Sequence, residues 1–290
     1  MLAGTVTLWA LNIVVTRYMV TTGWSPLAYA TLRYFVAIAL FIVYTYRRER
    51  SFAIERRDIK LVLLAGALIF GNQVCFVYAL KFARASTIAL LFGATPMFIG
   101  VFSFVLGLER LGRAFWAGTV LTSIGVAVVA LASGSVGSSA KGVLLGIGMD
   151  VTWGAYTLAI RPMMRRYSPF RISSLVLPIG WIPLAIIGSG QVVAQHFGFG
   201  WLVWLGFAYS VVGPLFLTNI LWFTAIDRVG PSRAALFANF EPFAAVVFAV
   251  LLLGDKLYPL ELVGGVLILA GIMLERVWTQ VSAPAITPID

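Results

Sequence analysis

The chain has 290 residues, 61% of them hydrophobic and only 11% charged, with a net charge of +10. So little charge cannot cover a water-soluble globule of this size, and the apolar residues fall in continuous runs of about twenty, the length that crosses a ~30 Å hydrocarbon core. That excludes a strand barrel, whose segments alternate, and it reads the positive balance as loops held on the cytoplasmic side, with no nucleic-acid partner.

Ten membrane-spanning helices are predicted, over roughly 2–20, 26–46, 59–80, 86–107, 114–132, 142–161, 169–189, 201–225, 232–253 and 258–277. The first lacks a basic leader and is read as a retained helix, not a signal peptide. It carries Trp9, Asn12 and Thr16 on one helical face. Span 2 contains Arg33, and span 3 holds the polar pair Asn72-Gln73, the only cysteine, Cys75, and then Tyr78. Span 4 has Pro96 in its middle, where proline removes a donor and frees the carbonyl of Phe92. Span 6 repeats the first span's spacing with Asp150, Trp153 and Thr157. Span 8 carries Thr218-Asn219 with Trp222 nearby, and span 9 carries Glu241-Pro242. Residues 280–290 hold two prolines and no apolar run and are expected to be disordered.

Polar groups inside spans are costly, so each has two readings. Trp9, Asn12, Asn72, Tyr78, Asp150, Trp153, Asn219 and Glu241 either line one central cavity or serve as helix-to-helix hydrogen bonds and packing. Pro96 and Pro242 are either hinges or static kinks. Glu241 lies about nine residues, roughly 13 Å, into its span. There it either binds substrate and carries a proton, or pairs with a local donor such as Asn239.

The two halves are related. Residues 86–128 lie on residues 232–274 at an offset of 146 without a gap, and twelve of the 43 positions are identical. Among these are Pro96/Pro242, Gly118/Gly264 and Gly125/Gly271, and Glu109 falls on Asp255. Five spans per half is odd, so the second half runs through the membrane inverted. Basic residues agree: with the amino terminus inside, fifteen lie on the cytoplasmic side and five opposite, Arg33 being within a span. Both termini are then cytoplasmic, with halves over 1–133 and 140–279.

These features resemble the drug/metabolite transporter superfamily, in its ten-helix branch with two EamA-type repeats. The resemblance rests on the mid-helix proline, the acidic residue at the helix end and the glycines of the last helix, twice over: Pro96, Glu109, Gly118 and Gly125, then Glu241-Pro242, Asp255, Gly264 and Gly271. Asp255 stands where the family commonly has glutamate. The resemblance implies an all-α secondary transporter of the bacterial inner membrane, exporting small metabolites by alternating access. Amino acids, including aromatic ones, are the nearest substrates, and a drug or nucleotide-sugar carrier is the alternative. No GxxxxGK[ST] loop, HExxH helix or cysteine cluster is present, so no ATP site, metal or other cofactor is expected. A membrane-embedded enzyme on a lipid-linked substrate would have to use Asp150 and Glu241 as its acid/base pair. A passive channel would show a continuous polar stripe. The expected partners are a small molecule and the bilayer, and a monomer suffices.

Overall fold

The computed structural model describes residues 1–108, 110–134, 138–229 and 240–281. Glu109, Arg233, Asn239, the beginning of the ninth predicted span and residues 282–290 lie outside them. The described residues form helices and no strand: α1 Leu2–Thr21, α2 Pro26–Glu49, α3 Ile59–Phe82, α4 Ala85–Phe92, α5 Thr95–Val105, α6 Arg113–Gly134, α7 Ala140–Ile160, α8 Pro169–Val193, α9 Trp201–Val211, α10 Thr218–Val229, α11 Glu241–Leu253 and α12 Pro259–Val281. Eight segments are long and apolar enough to cross a membrane, with α4–α5 counting as one and α9 joined to α10 as another; α11 and the apolar part of α12 are shorter.

Two spans are broken, each for a stated reason. Pro96 is the second residue of α5, and the chain between Phe92 and Thr95 tightens into i→i+3 bonds, Gly93 N to Leu90 O and Ala94 N to Leu91 O. Proline is tolerated there because first-turn N–H groups have no intrahelical acceptor. The span expected as one helix over 201–225 instead contains a π-helical segment, Val212–Leu217, between α9 and α10. Pro214 at its centre accounts for the difference.

The outside of the bundle is apolar, with Phe35, Val43, Leu64, Leu131, Leu144 and Ile186 all exposed. Its interior holds polar side chains, among them Thr16, Arg33, Asn72, Gln73, Thr95, Asp150, Ser210 and Thr218. This reverses the pattern of a protein in water and suits a lipid surround. α3 packs along α7 and α8, α2 along α8, α5 along α7, and α1 along α11 and α10. α6 and α12 run antiparallel and share the closest seam. A Cβ on Gly125 would lie 2.7 Å from Gly264 O, and one on Gly271 2.5 Å from Gly118 O. Only glycine lets the two backbones approach so closely.

Charged loops gather at the two ends. At one, Arg166 and Tyr167 bond Asp58, and Arg171 and Ser168 bond Glu49. At the other, Arg17 donates to Leu80 O and Arg84 donates to Lys256 O and Glu261. There Asp255 closes the buried first turn of α4, accepting from Ser86 N at 2.9 Å and from Ser86 Oγ at 2.8 Å. Asp255 thus fastens the loop before α12 to the head of α4. Asp255→Ala should cost about 1–2 kcal/mol of stability, as lost helix caps do, while Asp255→Asn keeps an acceptor and most of that stability. Thermal melts of the purified variants test this, and an unshifted Ala variant would show that the cap contributes nothing.

Candidate functional site

Sequence-predicted residues meet first where α3, α5 and α7 come together. Asn72, buried on α3, donates through Nδ2 to Met149 O at 2.9 Å, and Gln73 Nε2 donates to Asn72 Oδ1 at 3.0 Å. The next residue after Met149 is Asp150, 1% exposed, which accepts from Thr95 Oγ1 at 2.9 Å. Thr95 is the residue that opens α5 beside Pro96. The carboxyl of one helix therefore rests on the break in another. Gln73 Oε1 is buried and accepts nothing. Trp153, one turn beyond Asp150, packs against Tyr156 with ring centroids 5.4 Å apart.

A second polar set joins α1 to the span broken at Pro214. Trp9 Nε1 donates to Thr218 Oγ1 at 3.1 Å, and Thr218 donates to Pro214 O at 2.7 Å. Trp9 and Trp222 lie with centroids 5.2 Å apart. Asn12 faces Thr16, whose hydroxyl is 3.3 Å from the Tyr29 hydroxyl. Asn219 donates to Leu215 O of its own helical turn, so its amide is engaged locally.

Two residues stand differently from the rest. Tyr78 lies near the end of α3, where its hydroxyl accepts from Gln191 Nε2 at 2.8 Å and its ring stacks on Phe82. That places it with the loop end rather than with Asn72. Glu241 is buried and is the first residue of α11, with Pro242 second. Among the described residues its carboxyl has no cationic partner within ion-pair distance. Pro242 comes within 3.7 Å of where a Cβ on Gly93 would lie, so the start of α11 sits beside the break at Pro96. No three of His, Cys, Asp and Glu gather into a metal-ligand set among the described residues.

Three buried polar residues were not among the predicted site residues: Thr95, Ser210 and Arg33. A signal existed for two of them. Arg33 is a full charge seven residues into α2, and Pro214 frees the carbonyl of Ser210 four residues back.

The profile of the EamA-like transporter family matches residues 1–131 and 140–275. A probable amino-acid metabolite efflux pump of Salmonella typhimurium is 26% identical over 285 residues, covering 93% of this chain and 91% of its own. A probable terminal-alkyne amino-acid exporter of Streptantibioticus cattleyicolor is 28% identical over 233 residues, 79% of this chain and 75% of its own. An uncharacterized transporter of Archaeoglobus fulgidus is 26% identical over 281 residues, 94% and 96% of the two chains. One solved crystal structure superposes with a TM-score of 0.67 at 19% identity over 97% of both chains, a likeness of fold. With polar groups buried inside apolar helices, and a profile match running nearly end to end, the chain is a member of the EamA-like transporter family.

Proposed function

We propose that this chain is a secondary exporter of amino acids or closely similar metabolites, working by alternating access. The observation that carries the reading is the burial of two carboxyls in a transporter-family chain, Asp150 within the membrane-length helix α7 and Glu241 at the start of the shorter apolar helix α11. Neither has a cation in ion-pair contact among the described residues. A substrate ammonium is the chemistry such carboxyls await; Asp150 is bonded to Thr95 at the break beside Pro96, and Glu241 precedes Pro242 at the start of α11. The amino-acid exporters among the relatives support the substrate class.

The architecture in this reading is ten crossings in two inverted halves, 1–133 and 140–279, in the bacterial inner membrane. The contacts support it by recurring when the halves are exchanged. α5 on α7 is answered by α11 on α1, and α3 on α7 by α10 on α1, while α2 on α8 and α6 on α12 are self-paired. At the seam Gly118 meets Gly271 and Gly125 meets Gly264, equivalent residues in exchanged roles. An antiparallel pair related in this way has its two-fold axis across the helices, as inverted repeats do.

The test of function is counterflow of radiolabelled amino acids in proteoliposomes holding the purified chain. Uptake of at least one amino acid above empty vesicles is expected, and failure across all twenty would overturn the substrate class. Orientation is checked separately. Cysteines placed one at a time in a Cys75→Ser background should react with an impermeant reagent outside cells at 191–200 and not at 47–60. The reverse pattern would invert the topology.

A further inference from the structure

Arg33 takes no part in the site described so far, yet it is the one full positive charge set well inside α2, at 2% exposure. Part of its duty is local. Pro214 has no N–H to give the Ser210 carbonyl, and Arg33 Nε supplies one at 3.1 Å. A guanidinium has five donors, however, and one neutral N–H would meet that need. Its carbon lies 5.8 Å from the centroid of the Tyr29 ring, and Tyr34 and Tyr209 are within electrostatic reach. Two of those hydroxyls are engaged elsewhere: Tyr29 faces Thr16, and Tyr209 donates to Leu8 O. Nη1 is buried with no partner. No carboxylate pairs with Arg33 among the described residues. Burying a charge without a counter-charge is strongly unfavourable, and in spans such residues mark substrate pathways.

We propose that Arg33 is an anion subsite, and that its unpaired guanidinium edge binds the carboxylate of the transported molecule. Carboxylate is favoured over a point anion because two parallel N–H···O bonds match the planar fork. Because Nε holds the carbonyl just before the π-helical turn Val212–Leu217, a ligand on the opposite edge is tied to the irregular joint of α9 and α10. The assignment of a carboxylate rests on the amino-acid reading above, so the experiment separates the two.

The purified full chain in detergent is titrated with two matched sets by isothermal calorimetry. One set is L-phenylalanine, 3-phenylpropionate and 2-phenylethylamine; the other is L-leucine, 4-methylpentanoate and 3-methylbutylamine. The parent is expected to bind the carboxylates of at least one set and to bind its amine more weakly. Arg33→Gln should weaken the carboxylates roughly ten- to a hundredfold, the worth of a charge-assisted hydrogen bond, with the amine unchanged. Arg33→Lys keeps a charge and a donor for Ser210 and loses the fork, so about a tenfold loss is expected. That variant decides the matter if Arg33→Gln does not fold. Carboxylates bound as tightly by both variants, amines bound as well as acids, or no carboxylate bound by the parent would each overturn the subsite. Deaminated acids bound through Arg33 while the amino acids are not would keep the subsite and overturn the amino-acid reading. Amino acids bound regardless of Arg33 would do the opposite.

Discussion

Gly271→Leu is expected to abolish the folded protein. A Cβ at Gly271 would sit 2.3 Å from Thr122 Oγ1, 2.5 Å from Gly118 O and 2.9 Å from Thr122 N. Two of those atoms are backbone, so no rotamer change relieves the clash, and α6 and α12 must separate. Overpacking a tight core costs about 1–3 kcal/mol where side chains can give way. Here they cannot, and in lipid the association of helices depends on close packing in the first place. Gly271→Ala should already lower the melting temperature, and Gly271→Leu should leave no monodisperse peak in size-exclusion chromatography. Gly190→Leu is the matched control, since a Cβ at Gly190 meets nothing within 4 Å. Equal elution profiles for the two leucine variants would show that the seam is not under compression.

Glu241→Gln is expected to leave folding intact and to reduce transport roughly ten- to a hundredfold, the loss of a charged hydrogen-bonding partner. The substitution preserves size and amide-for-carboxyl shape, and Glu241 forms no ion pair among the described residues that folding would miss. Its position at the start of α11, against α1 and α4, places it where two halves of the bundle meet. The pH dependence of transport should flatten as well, because the amide does not titrate. Counterflow in proteoliposomes across a pH series measures both, and a Gln variant with the parent rate and parent profile would make Glu241 structural.

Local features were legible in the sequence. Pro96 announces the interruption between α4 and α5 by its missing N–H, and the apolar runs announce the membrane-length helices. The repeated glycines mark α6 and α12 as close-packing helices. Which glycine meets which was not legible: Gly118 opposite Gly271 and Gly125 opposite Gly264 is a register set by two helices far apart in the chain. For the same reason the polar residues were easier to find than to place. Asn72 bonds the Met149 carbonyl, while the next residue, Asp150, bonds Thr95. Tyr78, only six positions after Asn72, is drawn to the loop end by Gln191, a residue whose long amide gave no hint of its partner. The break at Pro214 was readable by the same rule as that at Pro96, and with it the need for Arg33.

The fastening of α4 has a consequence for the making of the protein. Its first turn is completed by Asp255, 169 positions after Ser86, and Glu261 receives Thr87 and Arg84 across 174 and 177 positions. At about 5–20 residues per second, a ribosome needs roughly 9–35 s to supply those acceptors after α4 has emerged. For that interval Ser138 is already made and can accept from Arg84 N, but the Ser86 N–H and the Arg84 guanidinium have only water, lipid headgroups or an insertion chaperone to satisfy them. Nascent chains arrested before Asp255 should therefore be the protease-sensitive ones at this turn, and release of the last helix is the event that locks an element made in the first third of translation.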